Sequence, residues 1–228
     1  MHQVINSICS KGSVSDLQAL LATHVDKSDL KLSLHCNFDE AFQTACISGK
    51  KDIVIYLLSI EEEWGQFDIH GEDDRGFNWA CRRGHTELIS YLIDIGIRRS
   101  VPFDLRKHLI SAVMCGSKPF LTDLVSQIDL TDSTMPDLAY RMVRIALLNN
   151  MIDTTLFILS LPIDLDLNKN FDDLFVSTCL MGHLESLRIL IDYGLSVSKP
   201  INLHAQGNKA FKKSDKTIVS YLRTLEKN

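Results

Sequence analysis

At 228 residues, 45% apolar and 23% charged, the chain falls in the range of folded globular proteins, and its long apolar stretches are helix faces interrupted by polar residues. A formal charge of −5 and a pI near 5.9 argue against nucleic-acid binding, which draws on clustered lysine and arginine, and no run is apolar enough for membrane insertion. The segment MHQVINSICSKGS has no basic stretch followed by an apolar core, so no secretory signal peptide is expected and a cytoplasmic setting is implied.

A phrase recurs along the chain, as AFQTACISGKKDIVIYLL from Ala41, GFNWACRRGHTELISYLIDIG from Gly76 and LFVSTCLMGHLESLRILIDYG from Leu174. Recurrence at fixed spacing signals a stack of similar structural pieces. The residue that ends the first helix of each piece runs as Gly12, Gly49, Gly84, Gly116, Asn150, Gly182 and Ser214, in steps of 32 to 37 residues. Glycine or asparagine there predicts a helix stopped in the left-handed conformation, with Ser214 the one departure.

In chain order, residues 1–34 carry a polar first helix around Asn6, Ser7 and Ser10, with Ile5 and Ile8 on its apolar face. Residues 35–69 place Phe42 and Ala45 on a first helix and Ile53, Val54, Leu57 and Leu58 on a second; residues 70–102 repeat this with Phe77, Ala80, Leu88, Ile89, Leu92 and Ile93. Residues 103–135 and 136–168 keep the pattern more weakly, through Leu109 and Ala112, then Val143 and Ala146. Residues 169–201 restore it with Phe175, Thr178, Leu187, Leu190 and Ile191, and residues 202–228 close with Ala210, Ile218, Tyr221, Leu222 and Leu225. Spacings of three and four put one apolar stripe on each helix, and the small residue lets two helices approach closely. Asp39, Asp74 and Asp172, each ten residues before its marker, are expected to cap the first helices. The two polar end units are expected to act as caps. The expectation is therefore one all-α domain over 1–228, a solenoid of about seven helix-turn-helix repeats.

These residues resemble the ankyrin repeat, whose period is about 33 residues and whose skeleton is Ala-Ala, Gly-His, Leu-Leu and Gly. The closest agreement is Ala80-Cys81, Gly84-His85, Leu92-Ile93 and Gly96, then Thr178-Cys179, Gly182-His183, Leu190-Ile191 and Gly194. The family's Thr-Pro-Leu-His start is replaced by Glu40-Ala41-Phe42-Gln43, Arg75-Gly76-Phe77-Asn78 and Asp173-Leu174-Phe175-Val176. That degenerate style is similar to ankyrin proteins that intracellular bacteria inject into host cells, and to those of large DNA viruses of amoebae. Cys9, Cys46, Cys81 and Cys179 share one repeat position, where the resemblance implies buried thiols in separate units and a reducing compartment.

Chemistry has little support. Cys81 and His85 lie four residues apart, as do Cys179 and His183, but a pair that recurs with the repeat is not a single active site. There is no Cys-x-x-Cys, Cys36 beside His35 lacks ligand-spaced partners, and His24, His35, His108 and His204 are scattered without a phosphate-binding glycine loop. No catalytic residue, cofactor or metal is expected. The segment Lys209 to Lys227 carries a local charge of +4 and reads as a cap surface, with anionic lipid or RNA as its alternative.

The resemblance implies recognition of another protein by a monomer, with a host protein as the partner. Its geometry assigns that surface to the loop tips and the residues just before each marker: Ile47, Ser48, Arg82, Arg83, Met114, Asn149, Leu180 and Met181. The segment Glu61 to Asp74 holds seven carboxylates without a lysine or arginine, and adds Trp64 and Asp73 as candidates. Trp79 is expected in the core, where the family keeps a leucine; Trp64 is either a loop anchor or a partner contact. An enzyme or enzyme inhibitor with its site in the groove, or an intracellular scaffold or adaptor, remain the alternatives.

Overall fold

The computed structural model describes residues 1–23, 26–163, 165, 171–196 and 202–226. Among these every regular element is helical, and they divide into two compact units, Met1–Cys115 and Gly116–Asn228.

The first unit holds α1 (His2–Lys11), α2 (Val14–Thr23), α3 (Lys27–Leu34), α4 (Cys36–Ile47), α5 (Lys51–Ser59), α6 (Glu61–Trp64), α7 (Gly71–Arg83), α8 (Thr86–Arg98) and α9 (Leu105–Cys115). Helices α1, α4, α7 and α9 pack side by side as one row, and α5 and α8 fold back on α4 and α7. The second unit holds α10 (Lys118–Ser126), α11 (Met135–Leu148), α12 (Ile152–Leu159), α13 (Phe171–Met181), α14 (Leu184–Ser196), α15 (Ala205–Lys213) and α16 (Lys216–Leu225). There α11, α13 and α15 form the row, backed by α12, α14 and α16.

The apolar stripes follow their spacing at most positions, while Ile8, Leu58, Ile93, Tyr221 and Leu225 are only half-buried. Ala45, Ala80, Ala112, Ala146, Thr178 and Ala210 are all fully buried, as are Phe42, Phe77, Leu109, Val143 and Phe175 to within 1%. Thr178 keeps its hydroxyl satisfied by donating 2.8 Å to the Leu174 carbonyl one turn back, so a polar atom is tolerated where the other units have alanine. Gly76 shows why side-chain size matters between rows: its N–H donates 2.5 Å to Gln43 Oε1, and a Cβ at Gly76 would meet that oxygen. Gln43 is itself 1% exposed, so this bond joins α4 to α7 within the core.

The helix stops agree at five of the seven markers. Gly49, Gly84, Gly116, Asn150 and Gly182 have φ between 56° and 76°, in the left-handed region. Gly12 does not: it is extended, with φ −81° and ψ −165°, like Ser214 with φ −79° and ψ 164°. Both lie in the end units, and the expectation of a left-handed Gly12 is corrected.

The three aspartates expected as helix caps do other work. Asp172 lies exposed inside the first turn of α13 rather than ahead of it. Asp39 and Asp74 each end a run of three left-handed residues, Asn37-Phe38-Asp39 and Glu72-Asp73-Asp74, which turns the chain back on itself at the start of α4 and α7. That turn brings each carboxylate under the histidine four residues earlier. His35 Nδ1 lies 2.5 Å from Asp39 Oδ1, and His70 Nδ1 lies 2.5 Å from Asp74 Oδ1. The second oxygens reach outward: Asp39 Oδ2 accepts from the Asp68 N–H at 2.6 Å, and Asp74 Oδ2 meets His108 Nε2 on α9 at 3.0 Å.

The same two histidines hold the loops. His35 Nε2 is 3.0 Å from the Trp64 carbonyl and its ring stacks on Phe67; His70 Nε2 is 2.9 Å from the Val101 carbonyl and its ring lies against Phe103. Left-handed backbone costs L-residues roughly 1–2 kcal/mol each, so each three-residue turn costs roughly 3–6 kcal/mol. Two charge-assisted hydrogen bonds, at about 1.5–3 kcal/mol each, offset a cost of that size. The strain and the bonds are thus parts of one device.

Burial acts to raise the Asp74 carboxyl, but the hydrogen bonds from His108 and His70 outweigh it and hold the group below its ordinary value of 3.8. A depressed carboxyl stabilises the fold above that ordinary value, and the contribution is lost as pH falls through the lower folded value. His108 is 3% exposed and its Nδ1 has no hydrogen-bond partner among the described residues, so the Asp74 contact at Nε2 is what satisfies the ring's other nitrogen. Asp74→Ala is therefore expected to lower stability by about 1–3 kcal/mol in chemical denaturation at neutral pH, since it leaves a buried donor unmet. The difference from wild type should vanish in acid, while Asp73→Ala, at an exposed side chain, should shift stability by less than about 0.5 kcal/mol.

Candidate functional site

The exposed ends of the first helices carry the candidate residues. On α7 the core face is taken by Phe77, Ala80 and Cys81, all within 1% of complete burial. Trp79, Arg82 and Arg83 stand three and four residues apart on the other face. Trp79 is 38% exposed, with the Arg82 guanidinium 5.0 Å and the Arg83 guanidinium 5.7 Å from its ring centroid. The expectation of a core Trp79 is corrected: a side chain in step with Arg82 and Arg83 shares their solvent face.

Neighbouring helices meet this cluster. Arg83 Nη1 donates 2.8 Å to the Ile47 carbonyl at the end of α4, and His85 Nε2 lies 3.2 Å from the same oxygen. Ile47 and Ser48 are half-buried beside them. On the other side, a Cβ at Gly84 would come 2.7 Å from Cys115 Sγ, so the α9 end abuts the α7 end and brings Met114, 38% exposed, to the same surface. Ile47, Ser48, Trp79, Arg82, Arg83 and Met114 thus share one end of the α4–α7–α9 row. No carboxylate lies within ion-pair distance of Arg82 or Arg83 among the described residues.

Two expected members fall elsewhere. Trp64 is only 5% exposed, with Lys27 Nζ 6.0 Å from its ring and its carbonyl facing His35, so it anchors the loop and is corrected out of the surface. Asp73 is exposed but stands at the opposite end of α7, 3.8 Å from Lys107, far from the arginines. In the second unit Asn149 is exposed just past α11, donating 2.8 Å to the Ile145 carbonyl, and Leu180 and Met181 are exposed at the end of α13.

The acidic segment is largely spent on the fold. Glu61 accepts from the Phe67 N–H and pairs with Arg99 at 2.5 Å, Glu63 pairs with Lys27 at 2.8 Å, and Glu72 pairs with Arg75 at 2.5 Å. Arg99 also donates to the Phe67 carbonyl at 3.1 Å. The cleft of about 310 Å³ beside His70 and Arg99 therefore opens onto groups already committed to internal bonds.

No protein-family model matches the chain, and no curated protein matches it. The described residues bring together no group of three histidine, cysteine or acidic side chains fit to hold a metal, and no described helix is long and apolar enough to cross a membrane.

The cysteines of the Cys–His pairs belong to the core. Cys81 and Cys179 are fully buried, while His85 is turned to the Ile47 carbonyl. Burial pushes the Cys9 and Cys179 thiols up to about 12, and pushes Cys46 and Cys81 higher, with Cys9 and Cys115 adding to the respective shifts. All six cysteines are free, with Cys36 and Cys115 half-buried. Under native conditions a thiol reagent should label Cys36 and Cys115 and leave Cys9, Cys46, Cys81 and Cys179 unmodified until denaturant is added. Peptide mapping that finds Cys81 or Cys179 labelled at the rate of a free thiol would contradict this assignment.

Proposed function

We propose that this chain is an ankyrin-type repeat protein without enzymatic activity that recognises another protein through the exposed ends of its first helices. The observation that carries the reading is the Trp79–Arg82–Arg83 cluster: three large side chains of the types enriched at binding hot spots, exposed together on a helix whose other face is core. Helix pairs separated by left-handed glycine or asparagine, with small residues at each close approach, support the ankyrin comparison. Rigid stacked hairpins offer a wide surface and need no reaction centre. The degenerate repeat style favours a host-directed effector, acting as a monomer in the cytoplasm of the cell it enters, with an intracellular adaptor as the alternative.

Affinity capture from a host-cell lysate, quantified by mass spectrometry for wild type and for Arg82→Glu with Arg83→Glu, tests this reading. Exposed charges contribute roughly 0–1 kcal/mol to folding, so the double variant should keep its thermal midpoint within a few degrees. The reading expects a defined protein set enriched by wild type and depleted for the variant. Equal enrichment by both would remove the α7 end from the recognition surface, and unfolding of the variant would make the pair structural.

A further inference from the structure

The charge and stacking at the α7 end define what it can hold, and this inference rests on the recognition reading above. We infer that the surface formed by Trp79, Arg82, Arg83 and Met114 takes an acidic segment of a partner protein, whose carboxylates meet the two guanidiniums while an apolar side chain lies against Trp79 and Met114.

Three observations converge on this. First, the guanidiniums are held but not spent: Arg83 commits one N–H to the Ile47 carbonyl, both groups lie over the Trp79 ring, and neither has a carboxylate at ion-pair distance among the described residues. A planar fork already fixed by a carbonyl and an aromatic face loses less rotamer freedom when it binds a carboxylate. Second, the surface is mixed rather than merely basic, because Trp79 and Met114 are each 38% exposed beside the charges. A highly solvated anion alone would leave that apolar area uncovered.

Third, the nearby cations are otherwise engaged. Lys50 Nζ donates to the Gly12 carbonyl at 3.1 Å and Lys51 pairs with Glu87 at 3.3 Å, so the positive surface stays narrow. In a chain of net charge −5 a patch of two arginines without a carboxylate partner is too small to track a nucleic-acid backbone, whose affinity grows with the number of phosphates neutralised. It is sufficient for one or two carboxylates, which guanidinium binds in bidentate geometry. The chain's overall negative charge opposes approach of an acidic partner, so the contact must be local and should weaken as salt screens it.

The test uses the full chain and two fluorescein-labelled peptides measured by anisotropy, one alternating glutamate with leucine and phenylalanine, the other carrying lysine in place of each glutamate. Wild type is expected to bind the acidic peptide saturably and more weakly as salt rises. Arg82→Glu with Arg83→Glu should lose about tenfold or more of that affinity and gain binding of the lysine peptide. Trp79→Ala should weaken the acidic peptide while leaving its salt dependence in place. If the double reversal fails to fold, Arg82→Gln with Arg83→Gln supplies the same comparison, without the gain.

Acidic-peptide binding that survives the reversal overturns the inference. So does tighter binding of a single-stranded oligouridine that the same reversal abolishes, which would assign the patch to nucleic acid. Concentration-dependent self-association of wild type, lost on reversal, overturns it in favour of a second copy of this chain. If neither peptide binds while lysate capture remains sensitive to the reversal, the acidic chemistry fails and protein recognition stands.

Discussion

The first unit depends on a shared carboxylate. Asp74 is buried, accepts from His70 just ahead of α7 and from His108 on α9, and lies at the end of a left-handed turn that L-residues adopt only at a cost. Because His70 also holds the Val101 carbonyl, the same group fixes the entry to α7, its contact with α9, and the loop that follows α8. Asp39 and His35 repeat the arrangement one unit earlier, with the Trp64 carbonyl and the Asp68 N–H as partners. Each latch aligns one helix of the row, and the row sets the position of the helix ends where recognition is proposed.

That arrangement separates the two ends of α7. The acidic start of the helix faces histidine, arginine and lysine within the unit, whereas its basic end carries two guanidiniums with no carboxylate at ion-pair distance among the described residues. Cationic residues in the last turn also suit the negative end of a helix dipole, which lowers the cost of leaving them without a carboxylate. Burial of the repeated cysteines pushes their thiols up, away from the reactive thiolate, by the same desolvation that accompanies core packing. Packing thus accounts for the burial of Cys81 and Cys179.

Much of the helical architecture was legible, because apolar spacing of three and four depends only on helix geometry, and most of the expected stripe is buried, with Ile8, Leu58, Ile93, Tyr221 and Leu225 half-buried at its edges. The left-handed stops at Gly49, Gly84, Gly116, Asn150 and Gly182 were legible for a similar reason. The latches were not legible locally, although His35–Asp39 and His70–Asp74 recur at a spacing of 35 residues. An aspartate ahead of an apolar stripe reads locally as a cap, and only the three-dimensional return of the chain shows it serving a histidine behind it. For Trp79 two signals conflict: the resemblance to the ankyrin repeat implies a buried position, while its own spacing from Arg82 and Arg83 sets it on their exposed face. Burial of Trp64 had no local signal, since Lys27 and His35, which meet it, are distant in sequence.

Residue-resolved hydrogen–deuterium exchange, on the chain alone and in complex with a protein it captures, reports where on the first unit a partner sits. Recognition at the α7 end predicts added protection over residues 47–48, 79–83 and 114–115, with the strongest change at the α7 terminus. Protection that leaves those segments untouched and gathers instead on the acidic stretch 61–74 would contradict the account.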